Sequence, residues 1–307
     1  MTADSAADAA LPAGRHHEVR DTDVAEFLDV RPQLFGIAYR MLGSVAEAED
    51  IVQDAWIRWQ GTDRREVHNP AAYLTTTTTR LAINASSAAR IRRETYIGPW
   101  VPEPVDTSHD PALGAERAEA LELAVLLLLE KLSPTERAVY VLREAFDYSY
   151  RQVAEVLEMS EANARQLARR ARQALESERS APATPAVRRR LLEAFVAAAR
   201  NGDLATLEQI FTDDVVARPD GGGRVHAARV ELYGVARVTN YLDNVLRKYW
   251  HEATMTIVDV NGEGAMLVTG AAGTPLALVA LDATQRGIER VFVMVNPDKM
   301  RQFEPPS

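Results

Sequence analysis

One short stretch of the chain crowds five side chains able to hydrogen-bond nucleic acid: Arg165, Gln166, Arg169, Arg170 and Arg172. Arg165, Arg169 and Arg172 recur at helical spacing, with Glu161 on the same face. Ala164, Ala168, Ala171 and Leu175 form the opposite stripe at intervals of four, three and four. Small residues on that stripe let a second helix approach closely. A positive helix face standing off such a seam is what insertion into a DNA major groove requires. Arginine can reach guanine edges or phosphates, and spacing does not choose between them. The competing reading is an ordinary helical hairpin with a solvated charged face.

A second cluster is acidic. Glu49, Asp50, Gln53 and Asp54 border an apolar stripe that carries Ile51, Val52, Ala55, Trp56 and Trp59. The pattern suits a protein-binding helix with a charged rim and an aromatic anchor, or a buried stripe behind a solvated face. Catalytic chemistry is less well served. With no cysteine there is no thiolate zinc site, disulfide or sulfur nucleophile. His226, Tyr233, Asp243, Trp250 and His251 could line a pocket, but no constellation is evident, and an acid–base pair needs geometry that spacing does not supply. No metal or cofactor is expected.

The elements that must position these residues follow from periodicity. The chain has 307 residues, 47% hydrophobic and 26% charged, with a net charge of −9. An acidic chain with one local basic helix fits a protein that touches DNA over a small patch and gains affinity from a larger partner. Residues 1–22 read as a disordered tail and not as a signal peptide. No apolar run is long enough for a membrane span, so a cytoplasmic protein is expected. Residues 23–97 read as helical, including the run Thr75 to Thr79, which Tyr73, Leu74, Leu81 and Ala82 flank in register. Pro-rich residues 98–118 read as an extended linker. Residues 119–177 are helical again, with capping boxes at Ser133 and Ser149 and a helix-turn-helix from Tyr150 to Leu175. A second linker covers 178–186. Residues 187–303 begin with helices, then turn to antiparallel hairpins at Asn261-Gly262 and Arg286-Gly287, which predicts an α+β domain. The fold class is therefore multidomain, two all-α domains followed by α+β.

The run Leu34 to Gly43, then AEAEDIVQDAW and NPAAYL, resembles region 2 of extracytoplasmic-function sigma factors. The segment SYRQVAEVLEMSEANARQLARRAR resembles their region 4. The remainder resembles a subgroup with a fused C-terminal SnoaL-like domain, an NTF2-like α+β cone. Trp100-Val101-Pro102-Glu103-Pro104 is similar to that subgroup's linker motif, with Val for the usual Leu. Asp220 to Arg224 is similar to its glycine-rich turn, with Arg for Lys, and Asn296-Pro297-Asp298-Lys299-Met300 to its C-terminal motif, with Met for Leu. The threonine run and Asn84 to Ser87 depart from the subgroup's pattern.

The resemblance implies an alternative sigma factor, not an enzyme. It implies that Glu49, Asp50, Gln53, Asp54 and Trp56 dock on the β′ clamp helices of core RNA polymerase. The loop from Thr62 to Asn69 would capture a flipped −10 base, and Arg165, Gln166, Arg169 and Arg172 would read the −35 element, with Arg170 on phosphate. The C-terminal domain would regulate in cis, through Asp220, Arg224 and Asn296 to Lys299 touching the linker at Trp100, Pro102, Glu103 and Pro104. A small-molecule ligand of that domain is left open. Two rivals are a helix-turn-helix regulator with a ligand-binding domain and an enzyme with a helical accessory domain.

Overall fold

The computed structural model describes residues 21–107 and 121–304. The expected tail up to residue 20 and the linker from residue 108 onward lie outside the described residues.

Three helices open the chain: α1 (Asp21–Leu42), α2 (Val45–Gln60) and α3 (Pro70–Glu94). Leu34, Ile37, Ala38, Met41 and Leu42 of α1 are fully buried against Ala48, Ala55 and Trp59 of α2 and Leu74 and Ala82 of α3. Ser44 caps α2 by accepting from Glu47 N, and Asn69 caps α3 with Pro70 at its first position. The five threonines lie inside α3, as their flanks predict. Packing overrides their weak helix preference, because Thr75, Thr78 and Thr79 face the core.

A second helical group follows: α4 (Leu123–Leu129), α5 (Pro134–Tyr140), α6 (Tyr150–Leu157) and α7 (Glu161–Glu176). Both expected capping boxes form, Ser133 with Glu136 and Ser149 with Gln152. A π-helical turn, Val141–Ala145, extends α5. Glu158 makes the turn of the helix-turn-helix at φ 51°.

The C-terminal part contains α8 (Pro185–Asn201), α9 (Leu204–Ile210), β1 (Phe211–Asp220), β2 (Leu232–Tyr233), α10 (Val235–Tyr249), β3 (Thr254–Val260), β4 (Glu263–Thr269), β5 (Pro275–Thr284) and β6 (Gly287–Met294). One six-stranded sheet runs β2-β1-β6-β5-β4-β3. It corrects the expectation of a purely antiparallel sheet, because β1 pairs parallel with β6. Sequence periodicity missed β1. Its exposed Asp213 and Asp214 and its Pro219 hide the buried Val215 and Ala217. At the β3–β4 hairpin, Asn261 and Gly262 take φ 55° and 77° and leave Val260 opposite Glu263. This is the two-residue turn that Asn-Gly favours.

Both faces of the sheet are covered. Met266, Val268, Val279 and Val293 join Phe195, Val196 and Leu242 in one core, beneath α8 and α10. Ala265, Leu267, Leu278 and Phe292 join the core shared with the first two helical groups. Double burial explains why β4 reads Ala-Met-Leu-Val without alternation.

Candidate functional site

A cluster of hydrogen bonds from both neighbours meets on one segment, Trp100 to Asp106, which runs between the first helical group and the sheet as a strap. Val101, Pro102, Pro104 and Val105 are buried. Buried backbone groups must find partners, and here both neighbours supply them. On the C-terminal side, Asp220 accepts from Val101 N at 2.9 Å and from Tyr96 Oη at 2.6 Å. Lys299 Nζ donates to Val101 O at 2.5 Å and to Asp220 Oδ2 at 2.8 Å. Asp220 is fully buried, and the Lys299 side chain is 12% exposed. Burial holds the Lys299 ammonium below the usual lysine range while Asp220 pulls the other way. Burial, followed by the bond to Asp220, pushes the Tyr96 phenol up. Further along, Val105 N donates to Asn261 Oδ1 and Asn261 N to Val105 O, both at 2.9 Å. Gln302 accepts from Asp106 N at 3.0 Å and donates to Pro104 O.

On the helical side, the Glu103 carboxylate accepts from Val45 N at 2.8 Å and Ser44 Oγ at 3.2 Å. It therefore sits at the positive end of α2. Tyr39 Oη donates to Glu103 O at 2.6 Å, and Asn261 Nδ2 donates to Tyr39 Oη at 2.8 Å and Leu121 O at 2.9 Å. Trp100 lies under the Arg93 guanidinium, 3.9 Å from ring centroid to Cζ. A Cβ on Gly43 would fall 2.7 Å from the Trp100 ring, and Gly43 has φ +64°, so only glycine fits there.

Asp220, Asn296 and Lys299 thus converge with Trp100 and Glu103 along one strap. Asn296, also buried, donates to Tyr96 Oη at 2.9 Å and caps the short turn Pro297–Lys299. Arg224 lies elsewhere: it pairs with exposed Asp298 at 2.9 Å and not with the strap. Sequence reasoning passed over Tyr39, Tyr96, Asn261 and Gln302. Asn261 was visible only as a turn residue, and the other three carried no signal.

The two helical groups also touch directly. Tyr148 Oη meets Gln33 Nε2 at 3.0 Å and Thr75 Oγ1 at 3.1 Å. Arg80 pairs with Glu158 at 2.7 Å, in the turn of the helix-turn-helix. Buried Arg137 donates to Met41 O and pairs with Glu130, both at 2.7 Å, and Arg93 shares Glu130. Burial lowers Arg93 to about 9 and Arg137 to about 10.

On α7, Arg165, Gln166, Arg169 and Arg170 are exposed. Arg165 pairs with Glu161 and lies 4.7 Å from the Tyr150 ring. Arg169 and Arg170 have no partner among the described residues. Arg172 is half-buried and tied to Glu144 through Nε at 3.1 Å. On α2, Asp50, Gln53, Asp54 and Ile57 are exposed along one face, and Glu49 pairs with Arg31 at 2.6 Å. Trp56 is partly buried against Phe27, with ring centroids 4.8 Å apart. Trp59 is wholly buried and belongs to the core, so the unforeseen apolar residue on the exposed face is Ile57.

Comparison with known proteins bears on these surfaces. Residues 27–94 match the family model Sigma-70 region 2, and residues 122–175 match Sigma-70, region 4. The chain is 35% identical to the ECF RNA polymerase sigma factor SigJ of Mycobacterium tuberculosis H37Rv, over 90% of this chain and 93% of that protein. It is 33% identical to the probable ECF RNA polymerase sigma factor SigI of the CDC 1551 strain, over 88% and 92%. The crystal structure of M. tuberculosis SigJ superposes with a TM-score of 0.73 at 32% identity, covering 92% of this chain and all of that one. No helix among the described residues is long and apolar enough to cross a membrane. The chain belongs to the ECF RNA polymerase sigma factors, promoter-directing subunits of RNA polymerase, and carries an α+β domain behind regions 2 and 4.

Proposed function

We propose that this sigma factor rests in a closed form that its own C-terminal domain maintains, and that it opens to initiate transcription. The carrying observation is the Lys299–Asp220 pair gripping the backbone of Val101, with Asp220 buried and Lys299 nearly so. Regions 2 and 4 would read the −10 and −35 elements, about 20–25 base pairs apart, or roughly 70–85 Å along B-DNA. Regions joined through Arg80–Glu158 and Tyr148–Thr75 do not span that distance. Opening therefore has to release the strap or the seam between the helical groups.

In the open form, the α2 face of Asp50, Gln53, Asp54 and Ile57, beside Glu49 and Trp56, would dock on the β′ clamp helices. The charged rim around an apolar centre supports that assignment. Helix α7 would enter the major groove at the −35 element through Arg165, Gln166 and Arg169, with Arg170 on phosphate. Arg172 would have to leave Glu144 to take part. The C-terminal domain is assigned regulation and not catalysis. Asp243 is paired with Arg247, Tyr233 is bonded to Glu231, and neither faces the domain's large cavity.

Run-off transcription with core polymerase tests this reading. A Lys299→Met chain, its folding checked by circular dichroism, should give several-fold more transcript than the wild type at equal polymerase binding. Equal transcript from the two would remove the regulatory role. Failure of Ile57→Asp to weaken polymerase binding would remove the α2 docking face.

A further inference from the structure

A cavity of about 770 Å³ opens in the C-terminal domain between α10 and the loop that follows β1. That volume is within the range of small-molecule sites. Its inner wall is apolar: Trp250 and Val245 are buried, and Val295 lies beside them. Its mouth carries Ile97, Val225, Tyr249 and Leu276, four of the ten large hydrophobic residues that stand exposed on the described surface. An apolar rim continuous with an apolar wall is costly to leave in water unless something covers it.

The polar groups are few. His226, Arg229, Tyr241 and Asn244 line the cavity, and none has a hydrogen-bond or salt-bridge partner among the described residues. No aspartate or glutamate lines it, so Arg229 gives the site an uncompensated positive charge. We propose that this cavity binds a small, largely apolar carboxylic acid, with its carboxylate at Arg229 and its hydrocarbon or aromatic body against Trp250 and Val245. Guanidinium recognises carboxylate through charge-assisted bonds, and Trp250 offers a broad apolar surface.

The site also reaches the strap. Ile97 belongs to the segment leading from α3 into it. Gly98 lies against the backbone of Ala228 and Arg229, and Gly223 lies against the Ile97 side chain. An occupant would touch both sides of this joint, so it binds better when the strap is seated and, by linkage, favours the closed form. This coupling rests on the closed-form reading above; the binding itself does not.

Titration calorimetry on the full chain, without polymerase, tests the site with 2-naphthoate as probe and 2-naphthamide as its neutral counterpart. The acid should bind with a Kd below about 1 mM, and the amide about tenfold more weakly or worse. Arg229→Gln should weaken the acid about tenfold and leave the amide unchanged. Asn244→Trp, on an exposed position that fills the mouth, should abolish both. No binding of the acid, or equal affinity in the wild type and either variant, overturns the proposal. Hydrogen exchange at the Val101 amide should slow when naphthoate is bound. An unchanged rate with intact binding overturns the coupling alone.

Discussion

The cations of the strap and those of α7 look alike in sequence and serve opposite ends. Lys299 is largely buried, and its charge is spent on Asp220 and the Val101 carbonyl. Arg169 and Arg170 are exposed and unpaired among the described residues. A buried charge must be matched at once by its own fold, whereas a solvated one stays available for a partner. On the function proposed above, the difference separates what would hold this molecule closed from what it would offer to DNA.

The largest effect should come from breaking the buried pair. Lys299→Met leaves Asp220 charged and unmatched, at a cost of about 3–5 kcal/mol in chemical denaturation, with faster hydrogen exchange at Val101. Adding Asp220→Asn should recover part of that loss. Non-recovery would mean that the two residues do not act as a pair. Next is Asn261→Ala, which removes side-chain bonds to Val105, Tyr39 and Leu121 and places a Cβ residue without Asn's tolerance at φ 55°. About 2–3 kcal/mol of stability should be lost, read from the same transition. The exposed set should behave differently. Arg169→Ala should weaken −35 DNA binding by the polymerase-bound chain by about 1–3 kcal/mol with no shift in Tm. Arg165→Ala should cost less, because Glu161 and Tyr150 already engage that guanidinium. A fall in Tm for Arg169→Ala would blur the contrast between the two sets.

The smallest effect is on pH. Burial outweighs the nearby Arg188, which lies 2.7 Å away, and pushes Glu263 up to about 7. The fold thus favours the protonated acid. Its stabilising contribution is full below the ordinary carboxylate range and is lost as pH rises through about 7. The wild-type Tm should therefore decline between about pH 4.5 and 7, and Glu263→Gln should flatten that slope. An identical slope in the two chains would show that Glu263 is not the source.

Much of the local structure was legible. The capping boxes at Ser133 and Ser149, the Asn261-Gly262 turn and the alanine stripe of α7 depend on residues a few positions apart, and each formed as read. Strand β1 was not legible, because its pairing with β6 joins residues more than seventy positions apart, beneath a surface that shows aspartates. The strap was half legible. Trp100 to Pro104 stood out as a motif, but nothing in it announced that Glu103 would cap α2 or that Tyr39 and Asn261 would close around it.

The sequence alone determined the helices, the turns, the basic face of α7 and membership in the sigma family, since these rest on short-range periodicity and contiguous motifs. Only the tertiary structure decided which charges are buried and which are free. Burial is a property of neighbours from distant parts of the chain, and Lys299 and Arg169 differ in nothing local that would reveal it.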